Sequence, residues 1–502
     1  MKALLMFPDK DFDERSNVAA NKEDLSQDLE LQTLFSSMAN EDEFLLKIVS
    51  AAILSSSAND KKTVQWRQDI LKDCLNHEDI IRSLYAITLE PVQIRKSMFL
   101  ISSGRHPSLM LSDGRRTLEA FLPVLKKLYS FADFEKERFQ SAGLRNLCSM
   151  LVDQLAPDYL AEMKQHLLTL RFDSGLLFSA RLGNGNTGTD FVPRFFVPQR
   201  WSWLKEWLGE TPAHYRFSLD PRDESGAREL AELRDDVLKD ISISVFKASK
   251  HVETFFNMLR CELAFYIGCL NLRDALKQKN CPICMPVISD IPCTLMFDDL
   301  RDPSLSLTLD QPAVGNSLEV KATPLILITG ANQGGKSTFL RSLGVSQLMF
   351  QAGMFVVAKQ YEADLRDGVF THYRRREDKG LNSGKFDEEL FRMNEIVKQL
   401  GKSPFLLFNE SFAATNEREG AEVARQIIAA VIQSGGRVVF VTHMYAMAES
   451  FKKQSMIKVC FLRAERDELG RRSFKIFEGD PKETSFGKDL YLQIFKNLNI
   501  DS

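Results

Sequence analysis

The chain has no excess of positive charge: 65 Lys and Arg stand against 68 Asp and Glu, a formal net charge of −3 over 502 residues. A global electrostatic footprint for nucleic acid is therefore excluded, and any such contact has to come from a local patch. No apolar run approaches the roughly 18 residues of a membrane span, so no membrane partner is expected. The N-terminus, MKALLMFPDKDFDER, turns acidic too soon for a signal peptide. Eight Cys without such a leader read as reduced thiols of a cytoplasmic protein. Cys281 and Cys284 form a C-x-x-C, but neither a second tight pair nor a His pair accompanies them, so structural thiols are the better reading than a zinc site.

A single core stops growing at roughly 250–300 residues, so this length implies more than one domain. From about Leu25 to His166 apolar residues recur at three- and four-residue spacing, as in Phe44, Leu45, Ile48, Val49, Ala52 and Ile53, and few Gly or Pro interrupt them. A small β insertion is read at about residues 168–222, with a hairpin at Gly183 to Gly188. From Ala227 to Lys279 the pattern is helical with no Pro. One helix of that length would project as a lever arm, and two packed bundle helices are the alternative. Pro282, Pro286 and Pro292 mark a linker. Beyond it apolar strands are expected at Leu325–Ile328, Met354–Val357, Phe405–Phe408, Val438–Val441 and Val459–Leu462, alternating with helices. The expectation is an all-α lever domain with a β insertion over residues 1–290, then an α/β domain with a mostly parallel sheet over residues 291–502.

The richest segment is LILITGANQGGKST, Leu325 to Thr338. Gly330, Gly335, Lys336 and Ser337 fit the phosphate-loop pattern G-x-x-x-x-G-K-S/T without mismatch. Gly lets the backbone curl so that N–H groups point at phosphate oxygens, and the following helix adds its positive end. Lys336 would reach the β- and γ-phosphates, and Ser337 would ligate Mg²⁺. Gly334, Asn332 and Thr338 complete the nucleotide-contacting set. The loop follows a β-type run and precedes a helical one, the context that this motif requires.

In such sheets ligands sit at the carboxyl ends of strands. The run Phe405–Phe408 ends in Asn409 and Glu410, where a phosphate-loop ATPase ordinarily has Asp-Glu. Glu410 is read as the group that polarises the attacking water. Asn409 brings an amide oxygen that bonds a Mg²⁺-held water but no charge, so weaker Mg²⁺ retention and slower hydrolysis are expected. His443, after Val438–Val441 and Thr442, is read as sensing the γ-phosphate or orienting the water. Asn382, Ser383 and Gly384 form a small polar loop at a helix start, suited to cradle an anion. Arg374, Arg375, Arg376 and Lys379 are a basic run whose default is a solvated face.

With these pieces in order, the second domain resembles the MutS family of ABC-type phosphate-loop ATPases. TGANQGGKST (Thr329–Thr338) is similar to the family's TGPNMGGKST loop. Val314, Gly315, Asn316 and Ser317 resemble the segment that the family places beside the nucleotide, which makes Asn316 a nucleotide-contacting candidate. FNESFAATNEREG (Phe408–Gly420) is similar to the DExxxGTxxxxG block, VTHMYAMA (Val441–Ala448) to ATHxxEL, and EGDPKETSFG (Glu478–Gly487) to the closing element. Lys385, Phe386 and Glu389 follow Gly384 where the family has STFxxE, with the small polar pair altered. That signature acts in the family on a partner's nucleotide, so the resemblance implies a homodimer in which Ser383 and Gly384 serve in trans.

The likeness is looser upstream, where Trp66 to Asp73 and Ala227–Lys279 resemble the family's lever. Phe12, Asp13 and Glu14 carry the letters of its mismatch-reading wedge, yet helical sequence begins too soon for the domain that bears it. No nuclease-like tail is expected after the last motif. The resemblance implies a cytoplasmic ATPase with ATP and Mg²⁺ that clamps DNA in repair or recombination. The alternative is an ATP-gated scaffold with little turnover acting on a nucleoprotein such as the ribosome.

Overall fold

The computed structural model describes residues 1–14, 19–55, 60–98, 106–173, 175–194, 218–330, 334–375, 384–453, 457–466 and 472–481. In chain order the helices are α1 (Lys22–Asp28), α2 (Leu31–Ala39), α3 (Glu43–Leu54), α4 (Lys61–Asn76), α5 (Glu78–Ser97), α6 (Pro107–Glu135), α7 (Ala142–Gln154) and α8 (Pro157–Thr169). A hairpin of β1 (Leu177–Leu182) and β2 (Gly188–Arg194) follows, then α9 (Glu224–Gln278). Next come β3 (Val287–Ile288), β4 (Leu295–Leu300), α10 (Pro303–Thr308), β5 (Asn316–Val320), β6 (Leu325–Thr329), α11 (Lys336–Gln351), β7 (Gln360–Ala363) and β8 (Gly368–Tyr373). The remainder is α12 (Lys385–Val397), β9 (Pro404–Asn409), α13 (Glu417–Gln433), β10 (Arg437–Val441), α14 (Tyr445–Lys453), β11 (Val459–Arg466) and β12 (Arg472–Glu478).

The chain divides into two compact units. The first holds Met1–Ala3, Arg82–Phe139 and Leu144–Arg260. Among the described residues it is helical apart from the antiparallel hairpin, in which Leu177 pairs with Arg194 and Leu182 with Gly188. The second holds Leu4–Ile81, Gln140–Gly143 and the chain from Cys261. The stretch with no Pro is one helix: α9 runs 55 residues, about 80 Å at 1.5 Å per residue. Among the described residues no helix is long and apolar enough to cross a membrane.

The second unit contains a six-stranded sheet of order β12-β11-β6-β10-β9-β8. Strands β11, β6, β10, β9 and β8 run parallel, and β12 is antiparallel at one edge. Leu325–Ile328, Phe405–Phe408 and Val438–Val441 are all buried, as expected of parallel strands covered on both faces. A second sheet of order β3-β7-β4-β5 lies in the same unit. Helix starts are held by short acceptors. The Asp42 carboxylate takes the N–H groups of Phe44 and Leu45 at 2.7 and 3.2 Å, and Asn416 takes that of Glu419 at 3.0 Å.

One expected strand is absent. Met354–Val357 is wholly buried but pairs with nothing beyond an isolated bridge between Val356 and Cys284. Gly353, at φ +81°, turns the chain out of α11, and the carbonyl of Val357 then accepts from the Arg301 N–H at 2.9 Å. An apolar run signals burial, whereas strand pairing depends on a neighbour lying alongside. The pairing here falls to β7 and β8 instead.

The first residues of the second unit form no helix or strand and are held by polar side chains. The buried Glu262 carboxylate accepts from the backbone N–H groups of Leu5, Met6 and Phe12 at 2.5, 3.2 and 3.0 Å. Tyr266 donates to the carbonyl of Leu5 at 2.7 Å, and Arg67 to that of Met6 at 2.7 Å. Phe12 is only 4% exposed, so it is a core residue and not a wedge.

Burial outweighs those three N–H groups and pushes the Glu262 carboxyl up from 4.5 to about 7. The folded state therefore holds this proton more tightly than the unfolded chain. The resulting stability is fully present below pH 4.5 and lost as pH rises through 7. Wild type should lose about 3 kcal/mol relative to Glu262→Gln across that window, read from urea melts at stepped pH. Parallel curves for the two proteins would refute this.

Candidate phosphate-loop site

Three neighbouring strands end level with one another. Val441 of β10 pairs with Ile328 of β6 on one side and with Asn409 of β9 on the other. The turns that follow are tied across: Thr442 N–H donates to the Ile328 carbonyl at 3.0 Å and Glu410 N–H to the Val441 carbonyl at 2.9 Å. Gly330, Glu410 and His443 thus emerge along one carboxyl edge of the sheet.

The loop between β6 and α11 opens at Gly330, with φ +115°, and closes at Gly335, with φ +88°, which caps α11. These are left-handed conformations that other residues rarely adopt. A Cβ at Gly330 would also stand 3.2 Å from the backbone nitrogen of Ala464. Lys336 is 5% exposed, and its ammonium donates to the Gly330 carbonyl at 2.7 Å, so the amine sits across the mouth of its own loop. Gly334 is buried, Thr338 is half-buried, and Asn332 lies outside the described residues.

Ser337 is exposed, and its hydroxyl donates to Asn409 Oδ1 at 3.0 Å. The departure noted in the sequence therefore lies within hydrogen-bond distance of the hydroxyl expected to ligate Mg²⁺. Glu410 is half-buried and takes φ +53°, an uncommon conformation for a residue with a side chain. His443 is exposed at the end of β10.

Two further candidates are carried by other elements. Asn316 begins β5 in the second sheet, is 6% exposed, and uses Oδ1 to accept from the Ile476 N–H at 2.8 Å. With the carbonyl of Gly315 accepting from Lys475, it fastens β5 to β12. Gly384 caps α12, which packs on the edge strand β8. Two strands separate β8 from β6, about 14 Å at 4.8 Å per strand step. Ser383, Asn382, Arg376, Lys379 and the closing element beyond residue 481 lie outside the described residues. Arg375 is not simply a solvated cation: it pairs with Asp24 on α1 and hydrogen-bonds Gln27. Cys284 and Val356 exchange backbone hydrogen bonds, and no group of three metal-ligating side chains occurs among the described residues.

Sequence reading passed over His372. It lies in β8 and is 1% exposed, with Nδ1 2.8 Å from Ser411 Oγ and Nε2 3.1 Å from the Glu389 carbonyl. Burial, with Arg392 and Arg375 nearby, pulls its pKa down from 6.5 to about 4. A polar residue inside the apolar run Val369–Tyr373 was the only local signal.

Comparison with known proteins finds matches along both halves of the chain. The family model for the MutS2 N-terminal domain matches residues 59–279, and that for MutS domain V, an ABC-type phosphate-loop ATPase domain, matches residues 326–490. The DNA mismatch repair protein MutS of Streptococcus pyogenes serotype M5 (strain Manfredo) is 26% identical over 295 residues, covering 56% of this chain and 34% of that protein. The same-named protein of Streptococcus equi subsp. equi (strain 4047) is 27% identical over 296 residues, with the same coverage. The chain therefore spans about a third of the length of these curated relatives. Matched along both its helical and its phosphate-loop segments, the chain belongs to the MutS family.

Proposed function

We propose that this protein is an ATP hydrolase that dimerises and couples nucleotide state to clamping on mismatched, branched or otherwise irregular DNA in repair or recombination. The observation that carries the reading is the convergence of Lys336, Ser337, Asn409 and Glu410 on one edge of a parallel sheet.

The residues present fit ATP and Mg²⁺. Lys336 is held at the loop mouth by a backbone carbonyl, a bond that phosphate oxygens would replace with charge-assisted ones. Ser337 Oγ and Asn409 Oδ1, 3.0 Å apart, are the oxygens that would hold the metal directly and through a water. Mg²⁺, when bound, neutralises charge on the phosphates. Lys336 binds and orients them, Glu410 aligns a water and takes its proton, and His443 senses the γ-phosphate or orients the water. Gly384, at the start of a helix on the sheet edge two strands removed from β6, is poorly placed to reach its own loop. That separation favours action of the Ser383–Gly384 signature on a second copy's nucleotide. The relatives' name, DNA mismatch repair protein MutS, supports DNA as the partner.

Steady-state ATPase rates with and without duplex, branched and single-stranded DNA test this reading. Glu410→Gln should lower kcat about a hundredfold, the smaller end of what a positioned base contributes. Lys336→Ala should abolish nucleotide binding in equilibrium dialysis. If wild type and Glu410→Gln turn over equally slowly while ATP still drives dimerisation, the protein is an ATP-gated switch acting on a nucleoprotein and not a hydrolase.

Asn409→Asp adds one carboxylate beside Ser337 and should lower the Mg²⁺ concentration for half-maximal turnover roughly tenfold. An unchanged Mg²⁺ titration would show that this position does not face the metal.

A further inference from the structure

Helix α12 and the turn that carries Glu410 are joined by a chain of hydrogen bonds with one proton too few. It runs from the Glu389 carbonyl on α12 to His372 Nε2, across the ring to Nδ1, and on to Ser411 Oγ. The Ser411 hydroxyl is also placed to donate to the carbonyl of His372 itself. A neutral imidazole has one N–H, and a serine hydroxyl has one O–H. Two protons therefore face three donor–acceptor contacts.

Three arrangements each make two of the three bonds. With the ring proton on Nε2, His372 donates to the Glu389 carbonyl, and Ser411 donates either to Nδ1 or to the His372 carbonyl. With the proton on Nδ1, His372 donates to Ser411, whose hydroxyl donates to the His372 carbonyl. The bare Nε2 lone pair then faces the Glu389 carbonyl and repels it. The Nε2–H arrangements grip α12, and the Nδ1–H arrangement releases it. Burial keeps the ring neutral, so one of its nitrogens always lacks a proton.

The turn depends on such a grip. Glu410 and Phe412, on either side of Ser411, have φ of +53° and +62°, an uncommon pair for residues bearing side chains. The Phe412 ring stacks on the His372 imidazole at 5.2 Å and 14°. Ser411, Phe412 and His372 are each no more than 1% exposed. The charged groups acting on the ring are Arg392 and Arg375.

We propose that His372 is a positioning residue that couples the N-terminal half of α12 to the Glu410 turn. If the signature preceding α12 engages a second copy's nucleotide, this chain is the route by which that engagement alters the water-orienting carboxylate. The proposal rests on the ATPase reading only for its kinetic consequence.

Two variants probe the chain: His372→Phe keeps the stacked ring but removes both bonds, and Ser411→Ala removes the hydroxyl alone. Each should lower kcat about tenfold while leaving nucleotide affinity within about twofold. The double variant should be no slower than the worse single one, because both break the same chain. His372→Gln, whose amide can donate to the Glu389 carbonyl, should be faster than His372→Phe. Full losses that multiply in the double variant, or an unchanged kcat with only a lowered Tm, would overturn the proposal. Hydrogen exchange on the nucleotide-free protein reads the coupling without turnover. Ser411→Ala, which removes the acceptor of an Nδ1 proton and so holds the ring in the Nε2–H form that grips α12, should lower exchange severalfold at residues 385–397. No change there overturns the coupling whatever the ATPase result.

Discussion

The parallel ladder joining β6, β10 and β9 is the constraint on which the site depends. Because Ile328, Val441 and Asn409 share one level of that ladder, the residues just beyond them share one edge. Gly330, Glu410 and His443 are far apart in the chain, and nothing local would bring them together. Gly330 and Gly335 supply the left-handed turns of the loop, and the strands supply the position.

Around the sheet, buried polar groups do the fastening that apolar packing alone cannot direct. Arg341 bridges Asp302, which also caps α10 through the Leu305 N–H. Asp364 takes Arg437 at 2.9 Å. Glu262, Tyr266 and Arg67 hold the irregular segment at residues 5–12 by its backbone. Each such group makes a buried donor or acceptor that tolerates only one arrangement, which is how a large core gains a unique register.

The site was legible where chemistry is local. Gly330, Gly335, Lys336 and Ser337 must lie in one short loop, so their spacing announces the fold of that loop. Asn409 and Glu410 could be read because an apolar run delivers them to a strand end. Met354–Val357 could not, since burial and strand pairing leave the same apolar signature. Asn316 sits beside a motif in the chain but spends its carbonyl on β12. His372 was invisible because its partners, Ser411 and Glu389, come from other elements.

By itself the sequence determined the phosphate loop, the parallel strands behind it and the helical character of the first half. These follow from glycine's freedom, from apolar runs and from three- and four-residue periodicity, all of which act within a few residues. Tertiary structure alone decided that Leu4–Ile81 packs with the sheets, that the stretch with no Pro is one helix, and which side chains meet at the Glu410 turn. Those outcomes turn on where a buried donor finds its acceptor, and a chain folded on itself sets that by position in space, not by spacing in sequence.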